Sequence, residues 1–147
     1  MFGLQIRYLS FFIGLISILS FFNILYSYYL NLYLNLDIYY WSFAISFIVS
    51  IIFYKVGVTE KKPSIYSKIL TVFSGYILIP LILSIPFYFS IYNLTFLNSF
   101  FESISGFTST GFTIFENIKH IDQSLILWRS STQWLGGLYF LFSIIFL

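Results

Sequence analysis

Residues 100–112 read FFESISGFTSTGF, and the organisation of the chain follows from this stretch. It lies between two long apolar segments, 69–92 and 125–147, and is itself too short and too polar to cross a bilayer. A helix over residues 96–107 would be about 18 Å long at 1.5 Å per residue, roughly half the hydrocarbon thickness. Small hydroxyl residues and glycine follow at once: Thr108, Ser109, Thr110 and Gly111. An apolar span, a half-length helix ending in a Thr/Gly loop, and a second apolar span place bare carbonyl oxygens inside a membrane. Such backbone persists there only where it lines a water-filled path or is buried in protein. Rings of such carbonyls can replace the hydration shell of a potassium ion. The same letters also suit an ordinary outer-surface turn capped by Thr and Gly.

Composition sets the environment. Of 147 residues, 59% are hydrophobic and 8% charged, where soluble domains carry about 25% charged residues. The chain reads as an all-α membrane protein whose first partner is the lipid bilayer. A net charge of +2 gives no reason to expect nucleic acid, and the lysines sit beside apolar spans, as topology signals do. With no cysteine there is no disulfide framework, thiolate nucleophile or Cys-based metal site. No nucleophile–base–orienter set is visible, so an enzyme is not expected.

Four apolar segments can be drawn, at 8–30, 38–54, 69–92 and 125–147. The first begins like a signal peptide, after Arg7. It then runs on through Phe21, Phe22 and Leu25 without a small-residue cleavage site, so a retained helix is expected. The third contains Pro80 and Pro86, which bend a spanning helix and free carbonyls. The 55–68 connection carries Lys55, Lys61, Lys62 and Lys68 against Glu60, whereas 31–37 carries only Asp37. The positive-inside rule then puts Arg7 and 55–68 in the cytoplasm, with 31–37 and 93–124 outside. Tyr28, Tyr29, Tyr39, Tyr40, Trp41, Tyr92 and Trp128 fall near outer span ends, as an aromatic belt would. The chain divides at about residue 60. Residues 1–60 form an N-terminal transmembrane hairpin, and 61–147 a single helix–pore loop–helix unit whose last span runs to the C-terminus.

If the half-helix enters from outside, its C-terminal end near Phe107 points to the membrane centre and carries roughly half a negative charge, which favours a cation. Gly106 and Gly111 flank the loop and free its backbone. Glu102 lies within the half-helix. It is expected to support the loop, solvated or bonded to nearby backbone, rather than bind the ion directly, since potassium sites use carbonyl oxygens. Arg129 has two readings: an interfacial anchor that snorkels to water, or a partner of Glu102 or Glu116 that braces the loop. Gln133–Gly137 (QWLGG) reads as close helix packing. His120, between Lys119 and Asp122, reads as a loop residue in water, with no second histidine to make a metal site. Asn93-Leu94-Thr95 matches a glycosylation sequon, a pattern with many chance matches.

FFESISGFTSTGF followed by ILWRSSTQWLGG resembles the Trk/Ktr/HKT superfamily of potassium transporters, most closely the bacterial Trk-type membrane subunit. The resemblance covers residues 65–147, through Phe101-Glu102, Ser105-Gly106, Thr108 to Gly111, Trp128-Arg129 and Gln133 to Gly137. The hairpin before it is similar to the extra helix pair that such subunits carry. That family has four linked helix–pore–helix units around one pore. The resemblance implies that Thr108, Ser109, Thr110, Gly111 and Phe112 form the first quarter of a selectivity filter, with potassium at Thr110 and Gly111. It makes Glu102, Gly106 and Arg129 pore-support residues. Potassium is then the transported substrate and no cofactor is called for. The implied partners are the remaining pore units and a cytoplasmic nucleotide-binding regulatory subunit, in a multi-pass protein of the bacterial cytoplasmic membrane. One pore unit in place of four is the departure from the family. A fragment of a longer transporter is the expectation, with a self-assembling small channel subunit or a non-transporting membrane scaffold as alternatives.

Overall fold

The computed structural model describes residues 5–57, 63–116 and 121–147, and all regular structure among them is helical. The elements are α1 (Ile6–Tyr29), α2 (Leu36–Val56), α3 (Ile65–Leu83), the single turn α4 (Ile85–Tyr88), α5 (Phe96–Phe107) and α6 (Gln123–Phe146). Lys61, Lys62, Glu60, Asn117, Lys119 and His120 lie outside the described residues.

Three stretches are long and apolar enough to cross a membrane: α1, α2, and α3 taken together with α4. The sequence drew a fourth span at 125–147. Helix α6 has the length, with 24 residues, but not the apolarity. Its first half carries Arg129, Ser130, Ser131, Thr132 and Gln133, of which Arg129 and Thr132 are turned against α5. The expected 69–92 span is also cut differently. Helix α3 passes through Pro80 and stops at Leu83, and α4 restarts with Pro86 in its first turn. Proline has no N–H with which to close the helical ladder, and the break falls between two prolines that stand six residues apart. Side chains hold this end of α3. The Trp128 indole N–H donates to the Leu83 carbonyl at 3.1 Å, and Ser103 Oγ donates to the Pro80 carbonyl at 2.8 Å.

Helices α1 and α2 form an antiparallel hairpin. Its contacts run from Tyr28–Tyr40 at one end through Ser20–Ser42 to Ser10–Ser50 at the other. Helix α6 runs antiparallel to α1, with Asn23 bonded to the Ser124 carbonyl and Tyr8 to Ser143. Helix α3 runs parallel to α1, since the Gln5 backbone N–H meets Thr71. The seam is more polar than the apolar letters of α1 suggest. Ser10, Ser17, Ser20, Asn23 and Ser27 are all buried. They recur at helical spacing and let the helices approach closely, as small residues do in lipid. The core beside them is aromatic, with the rings of Phe12 and Phe107 both packed on Tyr139.

These pairings sort the chain ends. Arg7, Tyr54, Gly57, Lys68 and Leu147 gather at one end of the bundle. Asn35, Ile91, Tyr92, Asp122 and Ser124 gather at the other. There the Asn35 side chain donates to Asp122 at 3.0 Å and accepts from the Ile91 N–H at 3.3 Å, which ties the hairpin to the rest of the chain. Two members of the expected aromatic belt are absent from the surface. Tyr39 and Trp128 are fully buried, because the Tyr39 hydroxyl bonds Ser124 and the Trp128 indole caps α3. Tyr28, Tyr29, Tyr40 and Trp41 remain exposed.

Candidate functional site: the α5 loop

Helix α5 spans the twelve residues read from the sequence. Thr95 starts it, its hydroxyl accepting from the Asn98 N–H at 3.3 Å. That gives the threonine of the sequon-like stretch a capping role. The polar face of α5 is turned inward: Ser99, Glu102, Ser103, Ser105 and Gly106 are buried, while Phe96, Leu97 and Phe101 are exposed. The helix runs antiparallel to α3 and parallel to α6, from the Ser103–Pro80 and Glu102–Arg129 bonds. It ends at mid-bundle. Phe107 packs on Tyr76 and Tyr139, near the middles of α3 and α6. Gly136 sets this seat, because a Cβ there would overlap the Phe107 backbone. Gly137 beside it faces open space.

The chain leaves α5 through a helix-ending turn of the Schellman type. The Thr110 N–H reaches back to the Ser105 carbonyl at 3.0 Å, and the Ser109 N–H to Gly106 at 2.9 Å. Ser109 takes the left-handed position, with φ 55°. Thr108 Oγ1 donates to the Ile104 carbonyl at 2.8 Å and shares a hydrogen bond with Thr110 Oγ1 at 2.7 Å. The N–H groups of the loop are thus spent on α5. Among the described residues nothing donates to the carbonyls of Thr108, Ser109 or Thr110, and all three residues are exposed. Gly111 follows with φ 83°, a conformation that only glycine adopts cheaply. The next two carbonyls are occupied: Gly111 accepts from Arg129 Nη2 at 3.5 Å and Phe112 from Ser105 Oγ at 2.6 Å.

The segment then climbs back along α5. Glu102, with no exposed surface, sits beneath it. Its carboxylate accepts from Thr113 Oγ1 at 3.1 Å, from the Ile114 N–H at 3.1 Å and from Arg129 Nε at 2.5 Å. Arg129 is 19% exposed, so the pair is largely shielded from water. The carboxylate that Arg129 meets is Glu102, not Glu116. Gly106 lies at the same contact, where an added Cβ would overlap Thr132 Oγ1. Below the loop, Tyr76, Phe107, Thr108, Ser109, Gly136 and Gly137 line a cavity of about 300 Å³. The negative end of the α5 dipole faces this space.

Sequence reasoning named every residue from Thr108 to Phe112; it quoted Ser105 only as part of the resemblance, with no role, and did not name Thr113. These two hold the loop through a carbonyl and a carboxylate. Their signal was present, since both are hydroxyl residues within one turn of a residue already singled out.

Over part of its length the chain is similar to known transporters. It is 40% identical over 65 residues to the Trk system potassium uptake protein TrkI of Halomonas elongata, covering 44% of this chain and 12% of that protein. It is 30% identical over 106 residues to TrkG of Escherichia coli, covering 66% of this chain and 22% of that protein. It is 39% identical over 54 residues to an uncharacterized cation transporter of Methanocaldococcus jannaschii, covering 37% of this chain and 11% of that protein. The chain therefore spans between about a tenth and about a fifth of the length of these relatives. No family model matches it, and no solved structure does. On the stretches it shares with them, the chain is similar in sequence to Trk-type potassium uptake proteins.

Proposed function

We propose that the chain supplies one quarter of the pore of a Trk-type potassium uptake transporter in the bacterial cytoplasmic membrane. The observation that carries this reading is the trio of carbonyls at Thr108, Ser109 and Thr110. Among the described residues they have no donor, and they stand at the end of a half-length helix, level with Tyr76 of α3 and Tyr139 of α6. Backbone left bare at that depth needs either water, an ion or protein against it. Carbonyls supply the ligands that replace a potassium ion's hydration shell, and the helix end beneath them favours positive charge.

The remaining sides of such a ring come from further pore units, and the relatives are long enough to hold them. Thr110 contributes its carbonyl to the ion. Gly111 contributes chiefly the turn, with its own carbonyl steadied by Arg129. Glu102, Gly106 and Arg129 hold the loop against α6. A cytoplasmic nucleotide-binding regulatory subunit is the partner proposed for the basic end of the bundle.

The test is growth of a potassium-uptake-deficient bacterium at low potassium. Joined in frame to the further pore units of a Trk-type relative, the chain should restore growth. Expressed alone it should not. Rescue by the chain alone, running as a tetramer, would transfer the reading to a self-assembling channel. No rescue in either form, with the protein present in the membrane, would remove the transport reading.

A further inference from the structure

A second feature lies far from the loop. Between α1 and α2, at the end that carries Arg7, runs a groove of about 500 Å³. Its floor is made of small residues: Gly14 lies against Ser50, whose hydroxyl donates to the Ser10 carbonyl at 2.8 Å. Its walls include Phe11, Ile18 and Ile51, all exposed. At its mouth the Arg7 guanidinium stands 5.2 Å over the Tyr54 ring. Among the described residues, neither that guanidinium nor the Tyr54 hydroxyl has a hydrogen-bond partner, and the one ion pair is elsewhere. Arg7, Lys55 and Lys68 share this end, while Asp37 and Asp122 lie at the opposite end and Glu102 at mid-bundle.

We infer that the groove seats an acyl chain of an anionic phospholipid, with the lipid phosphate against Arg7 and the Tyr54 hydroxyl. The small floor lets a slender chain lie against the helix backbones, and the apolar walls keep it from water. The mouth decides the head group. A cation and a hydroxyl donor together suit a phosphodiester, and basic pockets between membrane helices bind anionic head groups. A zwitterionic lipid would bring its own cation beside Arg7. This inference is independent of the ion path.

The test is native mass spectrometry of the full chain in detergent, titrated with phosphatidylglycerol and phosphatidylcholine of identical acyl chains. Phosphatidylglycerol should be retained about fivefold more than phosphatidylcholine, the equivalent of about 1 kcal/mol. Arg7→Gln should abolish the preference, and Ile51→Trp, which fills the groove, should lower retention of both lipids. Lys68→Gln, at the same end but outside the groove, should leave the preference intact. Equal retention of both lipids by the unsubstituted chain would overturn the inference without reference to any variant. So would a preference unchanged in Arg7→Gln. A dimer that excludes lipid would assign the groove to a second copy and overturn it as well.

Discussion

A carboxylate without exposed surface needs donors around it, and Glu102 has three: Arg129, Thr113 and the Ile114 N–H. Removing one partner of such a pair leaves the other charge poorly matched, at a cost of about 3–5 kcal/mol. Glu102→Gln should therefore lower stability by about 3 kcal/mol, read from denaturant unfolding in micelles. The Glu102→Gln/Arg129→Gln double substitution should cost less than the sum of the singles, with a coupling of about 1 kcal/mol or more. Strict additivity would show that the bond is incidental. The pair was only half legible in the sequence. Both residues stand out as charges in an apolar context, but 27 positions and a loop separate them, so no spacing rule could join them. The glycines teach the same lesson. Gly106 and Gly111 look alike as letters, yet Gly106 is required by Thr132 packed against it and Gly111 by its own φ. Gly106→Ser should accordingly reduce the amount of folded protein in the membrane, as measured by fluorescence-detected size exclusion.

Among the elements, α5 was the most legible, because a polar start, an amphipathic pattern and a Thr/Gly stop all agree on its limits. Helix α6 was legible in extent but not in the work of its first half, which brackets α5 through Arg129 and Thr132. Helix α1 misled in another way, since a membrane helix hides serines well. Ser10, Ser17, Ser20 and Ser27 carry no signal among the apolar letters, yet all are buried, with Ser42 and Ser50 of α2 bonded to Ser20 and to the Ser10 carbonyl. The depth of α5 hangs on one contact, Gly136 against the backbone of Phe107. A side chain at 136 cannot be absorbed by a rotamer change, because the opposing atoms are backbone. Gly136→Val should lower the melting temperature by several degrees and raise protease access to the 108–116 loop, whereas Gly137→Ala should melt as the unsubstituted chain does. Equal behaviour of the two variants would detach α5 from α6.

Over the whole molecule, pairing and charge agree. Arg7, Lys55 and Lys68 share one end and Asp37 and Asp122 the other, as the lysine pattern alone led one to expect. The fold adds what the pattern lacked: Asn35 ties both connections of the acidic end into one polar cluster with Asp122. With the basic end in the cytoplasm, a cysteine at Leu34 should react with an impermeant maleimide in intact cells and one at Ser64 should not. The reverse labelling would invert the protein. The proposal stands or falls, however, on whether the loop selects an ion. The direct measurement is uptake of rubidium, standing in for potassium, and of sodium by the chain joined to its further pore units, normalised to membrane protein. Gly111→Ser forces a side chain onto φ 83° beside the bare carbonyls. It should reduce the preference for potassium over sodium by about tenfold, equivalent to about 1.4 kcal/mol, at unchanged protein level. Unchanged selectivity in correctly inserted Gly111→Ser protein would contradict a filter at this loop and return residues 108–112 to the role of a surface turn.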